Sequence, residues 1–348
     1  MKTDLKNLSY DELKSFMKDI GESAYRADQI FSWLTKGVTS IDEMRNLSQS
    51  LKQKLAEIAY VSSVQIEEKF VSKIDGTVKY LMKLGDGEYV ECVIMFYKHG
   101  ISMCISSQIG CNMGCKFCAS TIGGKIRDLT SAEMLGQVMT AQNDLGERIS
   151  HIVIMGMGEP LENYDAVVKF LRNVNDERGL NIGLRHITVS TCGMVPNMLK
   201  LAHENMQITL TVSLHAPNNE IRSKIMPINR KYPIEEVLRA IDQYIEISTR
   251  RVSIEYAMIA GVNDSLECAR ELASHFRGKL IHVNLIPVNP ISEDGFQRSS
   301  DDNLQNFEEE LKKSKINVTI RRKMGSDINA SCGQLRKNRR ESEILGRR

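Results

Sequence analysis

The 348-residue sequence lacks several features, and each absence excludes a class of protein. No apolar segment is long enough to span a bilayer, and the first residues, MKTDLKNLSYDELK, contain no hydrophobic core of a signal peptide. Internal repeats and low-complexity segments are also absent. Proline is scarce, with seven residues, and the formal net charge is only +2. We therefore expect a cytoplasmic globular protein, in which any surface that binds nucleic acid must be local.

Positive charge is concentrated at the C-terminal end of the chain. From Arg321 to Arg348 there are nine Lys and Arg residues, against the three acidic residues Asp327, Glu341 and Glu343. Such a segment suits contact with phosphate groups. A solvated basic tail explains the same charge equally well.

The hydrophobic pattern divides the chain into four regions. Residues 1–60 have helical periodicity and form an N-terminal accessory domain, whereas residues 61–100 alternate as in an antiparallel β extension. In residues 101–322 strand and helix signals alternate regularly, which predicts parallel βα units. About six such units are too few for a closed eight-fold barrel, so we predict an α/β fold with a partial (β/α)6 barrel. Residues 323–348 form a C-terminal segment.

Three cysteines are closely spaced in the run GCNMGCKFCAS, with three residues between Cys111 and Cys115 and two between Cys115 and Cys118. An iron–sulfur cluster with full thiolate ligation and a structural zinc site each take four protein ligands. On the C-terminal side the next Cys or His is His151, so one coordination position would stay open for chemistry. Three unrelated buried thiols are the alternative interpretation.

Small polar residues follow the other predicted barrel strands, where barrel enzymes of this kind place their functional groups. They are Gly158 and Glu159, Ser190, Ser213 with Leu214 and His215, and Asn289. Each alone is typical of a turn or a helix cap, but together they predict a wall for a polar ligand. Cys104 lies in the first barrel strand and Cys332 beyond the last one; on sequence alone, burial as a structural thiol is the default for both.

These motifs resemble a known family. The cysteine spacing, with Phe117 before the last cysteine, is similar to the signature of radical S-adenosylmethionine enzymes. The surrounding segments narrow the resemblance to the RlmN/Cfr family of radical methyltransferases that act on RNA adenine, over about Tyr25 to Arg336. The segments are CISSQIGCNMGCKFCAST, MGMGEPLEN, STCGMVP, SLHAP, RSKIMPINRKYP, GVNDS, NLIPVNP and SCGQLR.

The resemblance implies a cofactor set and a role for each matching residue. Cys111, Cys115 and Cys118 would bind a 4Fe-4S cluster, whose open iron takes the amino and carboxylate groups of S-adenosyl-L-methionine. Cys332 would carry a methyl group, Cys104 would resolve the intermediate, and Glu91 would accept a proton. Without the resemblance, Glu91 reads as a solvated strand residue. The remaining contacts with S-adenosylmethionine would come from Gly158, Glu159, Ser190, Ser213, Leu214, His215 and Asn289.

The implied reaction uses two S-adenosylmethionine molecules per turnover. One methylates Cys332, and the other yields a radical that abstracts hydrogen from this methyl group, so that the resulting carbon joins adenine. Loss of the ring proton to Glu91 lets Cys104 attack the sulfur of Cys332, which leaves a disulfide to be reduced. The target base has to leave its stack, so a single-stranded or flipped adenine is expected.

Residues near the motifs resemble the branch of the family that methylates C2 of adenine: Ala119-Ser120-Thr121, Gly158-Glu159-Pro160 and Ala216-Pro217. This implies 23S ribosomal RNA, at the peptidyl transferase centre, and tRNA beside the anticodon as substrates. A reductant such as flavodoxin or ferredoxin is expected, with no membrane and a monomeric enzyme. The alternatives are C8 methylation that confers antibiotic resistance, a radical enzyme of another type, and a non-catalytic zinc-stabilised RNA-binding protein.

Overall fold

The computed structural model describes residues 2–289, 295–331 and 333–335. Cys332 and the end of the basic segment, residues 336–348, lie outside the described residues, as do residues 290–294. None of the helices within the described ranges is long and apolar enough to cross a membrane.

The N-terminal residues form a small helical unit with its own apolar core. Each of its three helices buries one stripe of side chains, as the helical periodicity predicts. Ser9 caps the first helix by accepting a hydrogen bond from the Glu12 amide, and the Glu12 carboxylate accepts one from the Ser9 amide. The elements are β1 (Thr3–Asp4), α1 (Tyr10–Asp19), α2 (Tyr25–Leu34), α3 (Gln49–Ile58) and β2 (Ala59–Tyr60).

A ten-stranded sheet follows, and its first part is antiparallel. These strands are β3 (Gln65–Val71), β4 (Val78–Lys83), β5 (Tyr89–Tyr97) and β6 (Gly100–Ile105). Turns at Asp75-Gly76 and at Gly85-Asp86-Gly87 join β3 to β4 and β4 to β5, as the alternating pattern predicts. A short pair, β7 (Gln108–Ile109) and β8 (Arg127–Asp128), flanks the cysteine loop.

From β6 to β14, each strand of the ten-stranded sheet pairs in parallel with its neighbour. The parallel strands are β6, β9 (His151–Ile154), β10 (Ile187–Thr191), β11 (Thr209–Ser213), β12 (Val252–Met258), β13 (Ile281–Pro287) and β14 (Asn317–Ile320). The helices between them are α4 (Ser131–Leu145), α5 (Tyr164–Asn175), α6 (Val195–Ala202), α7 (Asn219–Ile225), α8 (Ile234–Ser248), α9 (Leu266–Phe276) and α10 (Asp301–Lys313). Since β3 and β14 are the two edges, the barrel is open, and the predicted partial barrel is confirmed.

One described helix was not predicted from the hydrophobic pattern. Helix α7 has only seven residues, which is too short for a reliable period, and Asn218 starts it by accepting a hydrogen bond from the Ile221 amide. Its last residue, Ile225, is buried and contacts the cysteine loop through its carbonyl oxygen. The helix therefore contributes to the site, although its sequence pattern is weak.

Candidate functional site: a cysteine-lined cavity at the strand ends

The largest group of predicted site residues meets around one cavity of about 140 Å³ at the carboxyl ends of the parallel strands. All three cysteines of the motif line it, together with six of the seven predicted cofactor contacts. These six are Gly158, Glu159, Ser190, Ser213, His215 and Asn289. Leu214 is the exception, because its side chain is fully buried in the main apolar core.

The cysteine loop is held in place through its backbone. The Lys116 amide donates to the Ile225 carbonyl at 3.0 Å, and the Thr121 hydroxyl donates to the Cys118 carbonyl at 2.8 Å. Burial raises the pKa of the Cys111 thiol to about 12 and that of the Cys115 thiol well above its usual value. Without a cation these thiols stay protonated, so a metal group that binds them must displace their protons.

Within the described ranges, no three His, Cys, Asp or Glu side chains are arranged to hold a single metal ion. The three cysteines instead surround a shared cavity. A cluster of several irons spreads its thiolate ligands around a larger body than one ion does. The donor set and its arrangement therefore fit an iron–sulfur cluster.

The loop after β9 brings Glu159 to the cavity wall. The backbone of Gly158 has φ of +104°, and a Cβ there would lie 2.5 Å from the Cβ of Gln108, so only glycine fits. The Gln108 side chain accepts a hydrogen bond from the Glu159 amide at 2.8 Å. The two carboxylate oxygens of Glu159 accept from the amides of Leu161, at 3.0 Å, and Cys192, at 2.8 Å.

Electrostatics at Glu159 follow from these contacts. Burial raises the pKa of its carboxyl group, whereas the hydrogen bonds from backbone amides lower it. The carboxylate is thus fixed in one orientation before any ligand arrives, which reduces the ordering cost of binding.

His215 is a neutral wall residue with a defined tautomer. Its Nδ1 atom accepts a hydrogen bond from the Ala257 amide at 2.9 Å, which places the ring proton on Nε2. Burial, and next the nearby charge of Arg222, lower the pKa of His215 to about 3. Its ring packs edge to face against Phe117 of the cysteine motif, with the centroids 4.8 Å apart. The hydroxyls of Ser190 and Ser213 lie 3.3 Å apart on the neighbouring strands.

A second cavity, of about 50 Å³, adjoins the first and shares Asn289, Arg321 and Gly333 with it. Cys104 lines the second cavity, as do Ser331 and Gly333 on either side of Cys332. The C-terminal segment is anchored to the cysteine loop, because the Ala119 amide donates to the Gly333 carbonyl at 2.8 Å and the Ser120 hydroxyl donates to the Leu335 carbonyl at 3.1 Å. The sequence neighbours of Cys332 thus lie between the cluster loop and Cys104.

The interpretation of Glu91 as a solvated strand residue is wrong. Its side chain is only 2% exposed, and its carboxylate lies 3.2 Å from the ammonium group of Lys79, which is 6% exposed. Lys79 also donates to the Asn329 carbonyl at 3.5 Å, three residues before Cys332. Glu91 therefore belongs to a buried ion pair beside the C-terminal segment.

Two charged residues at the site were missed. Glu255 lines the first cavity from β12, and its sequence signal is a carboxylate within the mainly apolar strand segment VSIEYAMI. Arg222 is fully buried and donates to the carbonyl oxygens of Cys192, at 2.6 Å, and Leu214, at 3.3 Å. It stood within a motif quoted for the family resemblance, yet it received no role.

Comparisons with known proteins agree with this geometry. The family model of the radical SAM superfamily matches residues 105–273, and that of the "Ribosomal RNA large subunit methyltransferase N-terminal domain" matches residues 3–61. A relative in Lachnoclostridium phytofermentans, named "Probable dual-specificity RNA methyltransferase RlmN", is 56% identical over 97% of this chain and 95% of its own. A relative of the same name in Clostridium novyi is 54% identical, with 95% and 97% covered.

A solved structure is similar over nearly the whole molecule. The crystal structure of a radical SAM methyltransferase from Sphaerobacter thermophilus matches with a TM-score of 0.91 and 42% identity, covering 97% of this chain and 100% of that one. The fold and the cysteine-lined cavity define a radical S-adenosylmethionine enzyme, with a 4Fe-4S cluster and S-adenosylmethionine as its cofactors. Within that superfamily the chain belongs to the RlmN family.

Proposed function

We propose that this enzyme methylates C2 of adenine in RNA, through a methyl group carried on Cys332. The observation that carries the proposal is the anchoring of the C-terminal segment. Hydrogen bonds from Ala119 and Ser120 tie residues 333–335 to the cysteine loop, and Ser331 and Gly333 line the cavity that contains Cys104. The described residues on either side of Cys332 therefore lie next to both the cysteine loop and Cys104, which supports the proposed roles.

Cys111, Cys115 and Cys118 are the proposed cluster ligands, since all three line the first cavity. Bound there, the cluster and S-adenosylmethionine supply the methyl group and the radical chemistry that an unactivated ring carbon requires. The proposed cofactor contacts are Gly158, Glu159, Ser190, Ser213, His215 and Asn289, which share that cavity, and Leu214, which is adjacent to two of them in sequence.

In the proposed reaction the thiolate of Cys332 accepts the methyl group. The carbon of this group would lose one hydrogen atom to the radical that S-adenosylmethionine supplies and would then bond to the adenine ring. Glu91 takes the ring proton, and Lys79 holds its carboxylate beside the C-terminal segment. The thiolate of Cys104 then attacks the sulfur of Cys332 and breaks its bond to the transferred carbon. This carbon takes up a proton to become the methyl group of the released RNA, and a disulfide remains between the two cysteines.

The proposed substrates are 23S ribosomal RNA and tRNA, the two kinds of RNA that the resemblance to this family implies. Arg321, Arg322 and Lys323 line the second cavity, where their charges would attract the phosphates that flank the target base. We also propose that residues 1–60 and 61–100 act as accessory regions to a barrel at 101–322, with 323–348 as the methyl-carrying segment. The enzyme would act as a cytoplasmic monomer reduced by flavodoxin or ferredoxin.

The test uses two cysteine variants of the cluster-loaded enzyme, with RNA and a reductant under anaerobic conditions. Cys332→Ala is expected to abolish methyl transfer, and Cys104→Ala is expected to trap RNA covalently on Cys332. The matched control is Cys268→Ala, at a buried cysteine of α9 in the main apolar core. Full activity of Cys332→Ala would refute the methyl-carrier role, and release of methylated RNA from Cys104→Ala at the normal rate would refute the resolving role.

A further inference from the structure

A row of polar residues crosses the sheet at the level of the cofactor cavity. Ser213, Glu255, Asn284 and Thr319 are register partners on the four consecutive parallel strands β11 to β14. Central parallel strands are normally apolar on both faces, so a polar row at one level indicates a ligand at that level. No role has so far been given to Glu255.

Glu255 is held by a chain of hydrogen bonds with a fixed direction. The Thr319 hydroxyl donates to Oδ1 of Asn284 at 2.8 Å, so the neighbouring Nε2 of His282, at 3.0 Å, must be the donor to Thr319. The Asn284 amide nitrogen then donates to Oε1 of Glu255 at 2.8 Å. Every proton in the chain points toward Glu255, so the chain requires Oε1 to be an acceptor and fixes the plane of the carboxylate.

The other carboxylate oxygen, Oε2, is buried in the cavity wall and accepts no hydrogen bond from the residues that the structure describes. Nη1 of Arg321 lies 3.9 Å from Oε2, which is an ion-pair distance and too long for a hydrogen bond. The Glu255 side chain is only 4% exposed. A buried acceptor without a donor is costly, and at a binding site it indicates that a ligand supplies the donor.

We propose that Oε2 of Glu255 accepts a hydrogen bond from a ribose hydroxyl of S-adenosylmethionine. The inference rests on the proposed position of the cofactor in this cavity and adds a contact that the sequence motifs did not indicate. Carboxylates are well suited to this task, since dinucleotide-binding folds use an Asp or Glu to hold ribose hydroxyls. Burial raises the pKa of Glu255, whereas the charge of Arg321 and the hydrogen bond from Asn284 lower it. Hydrogen bonds to the charged form are the stronger ones, and the neutral amide of Gln at this position would give only the weaker kind.

The depth of Glu255 in the barrel selects the ribose over the amino group of the cofactor. Cys115 of the cluster loop packs against an apolar cluster that includes Ile259, which lies just beyond the end of β12. Glu255 lies four residues earlier on this strand, which is roughly 13 Å deeper at 3.3 Å per residue. Because the amino and carboxylate groups bind at the cluster, the part of the cofactor that reaches the level of Glu255 and Ser213 is the nucleoside.

The test measures ligand binding to the cluster-loaded enzyme by anaerobic calorimetry, with no turnover required. The probes are S-adenosylhomocysteine, 5′-methylthioadenosine, which lacks the amino acid, and the 2′-deoxy and 3′-deoxy forms of 5′-methylthioadenosine. Glu255→Gln keeps the shape of the side chain and removes its charge. We expect it to weaken binding of S-adenosylhomocysteine and methylthioadenosine about tenfold, the usual effect of losing one charged hydrogen-bond partner.

The deoxy probes make the test specific for the ribose. Wild-type enzyme is expected to bind at least one deoxy form about tenfold more weakly than methylthioadenosine, and Glu255→Gln is expected to reduce this ratio to about twofold or less. An unchanged ratio in the variant would overturn the proposal. Weaker binding of S-adenosylhomocysteine alone would also overturn it, because this result assigns Glu255 to the amino group.

Two further variants keep the result interpretable. Glu220→Gln, on the surface of α7 with the Glu220 side chain 78% exposed, is the matched control and is expected to bind every probe as wild type does. Asn284→Ser retains Glu255 but removes the donor that orients its carboxylate. The ratio between the affinities for methylthioadenosine and its deoxy form is therefore expected to fall, but by a smaller factor than in Glu255→Gln. This variant provides the test if Glu255→Gln does not fold. If wild-type enzyme bound none of the probes, the proposed cofactor position would itself be wrong. If wild-type enzyme bound the probes and Glu255→Gln bound them equally well, only the inference about Glu255 would be refuted.

Discussion

Substitution of Lys79 tests how much the buried ion pair with Glu91 contributes to the free energy of unfolding. The two side chains are 6% and 2% exposed and their charged groups lie 3.2 Å apart, on the adjacent strands β4 and β5. Removing one partner of such a pair typically costs about 3–5 kcal/mol, because the other charge stays buried. Lys79→Met is therefore expected to lower the free energy of unfolding of the cluster-free protein by about that amount, measured by urea denaturation.

The same region of the sheet contains a matched control. Lys69 on β3 pairs with Asp144 at 2.6 Å, but these side chains are 38% and 30% exposed. Solvent screens such a pair, so Lys69→Met is expected to cost only about 1 kcal/mol or less. If Lys79→Met proved no more destabilising than Lys69→Met, the assignment of a buried pair would be refuted.

A double variant separates the structural role of Glu91 from its chemical one. Lys79→Met with Glu91→Gln removes both charges, so it is expected to recover most of the stability lost by Lys79→Met alone. The double variant is expected to have no catalytic turnover, since glutamine cannot accept the ring proton. A double variant that turned over at the wild-type rate would show that Glu91 is not the base.

Three further predictions concern the cofactor cavity. Gly158→Ala places a Cβ within 2.5 Å of Gln108 at a φ of +104°, so it is expected to lower the free energy of unfolding in urea by about 1–3 kcal/mol and to weaken binding of S-adenosylhomocysteine. Wild-type values for both measurements would contradict the close approach of Gly158 to Gln108. The pKa of His215 is about 3 in the folded state and lies below its unfolded value, so the unfolded state binds more protons between pH 6.5 and 3. The free energy of unfolding is therefore expected to decrease as the pH falls through this range, and to decrease less steeply in His215→Gln. An equal slope in the variant would contradict the burial of a neutral ring. In cluster-free protein the raised pKa values of Cys111 and Cys115 predict slow alkylation by iodoacetamide at pH 7.5 relative to a cysteine peptide, measured by mass spectrometry, and equally fast labelling would argue against it.

The barrel and its cysteine loop were predictable from local signals. Alternating strand and helix patterns depend on periodicity along the chain, and the structure reproduces them from β6 to β14. The strand-end residues met at one cavity because the carboxyl ends of parallel strands lie at one edge of a sheet. Helix α7 was not predicted, because seven residues form only about two helical turns and show no clear hydrophobic period.

The residues that depend on long-range packing were not predictable in this way. Glu91 reads as solvated because strand alternation does not reveal whether the outer face of an antiparallel extension is covered, and Lys79 is distant from it in sequence. The hydrogen-bond chain that ends at Glu255 links β12, β13 and β14, and its register is set only when the strands pair. Leu214 shows the reverse situation, since its neighbours Ser213 and His215 line the cavity while its own side chain is buried in the core, and its contact with the cofactor stays a prediction.

The central claim is that this enzyme places a methyl group on C2 of adenine in RNA. Its most direct test is mass spectrometry of the nucleosides released from 23S ribosomal RNA and tRNA after anaerobic reaction with the cluster-loaded enzyme, S-adenosylmethionine and a reductant. The account predicts 2-methyladenosine in both RNAs, and none with Cys332→Ala. The appearance of 8-methyladenosine instead, or of no methylated adenosine with intact cluster and cofactor binding, would contradict it.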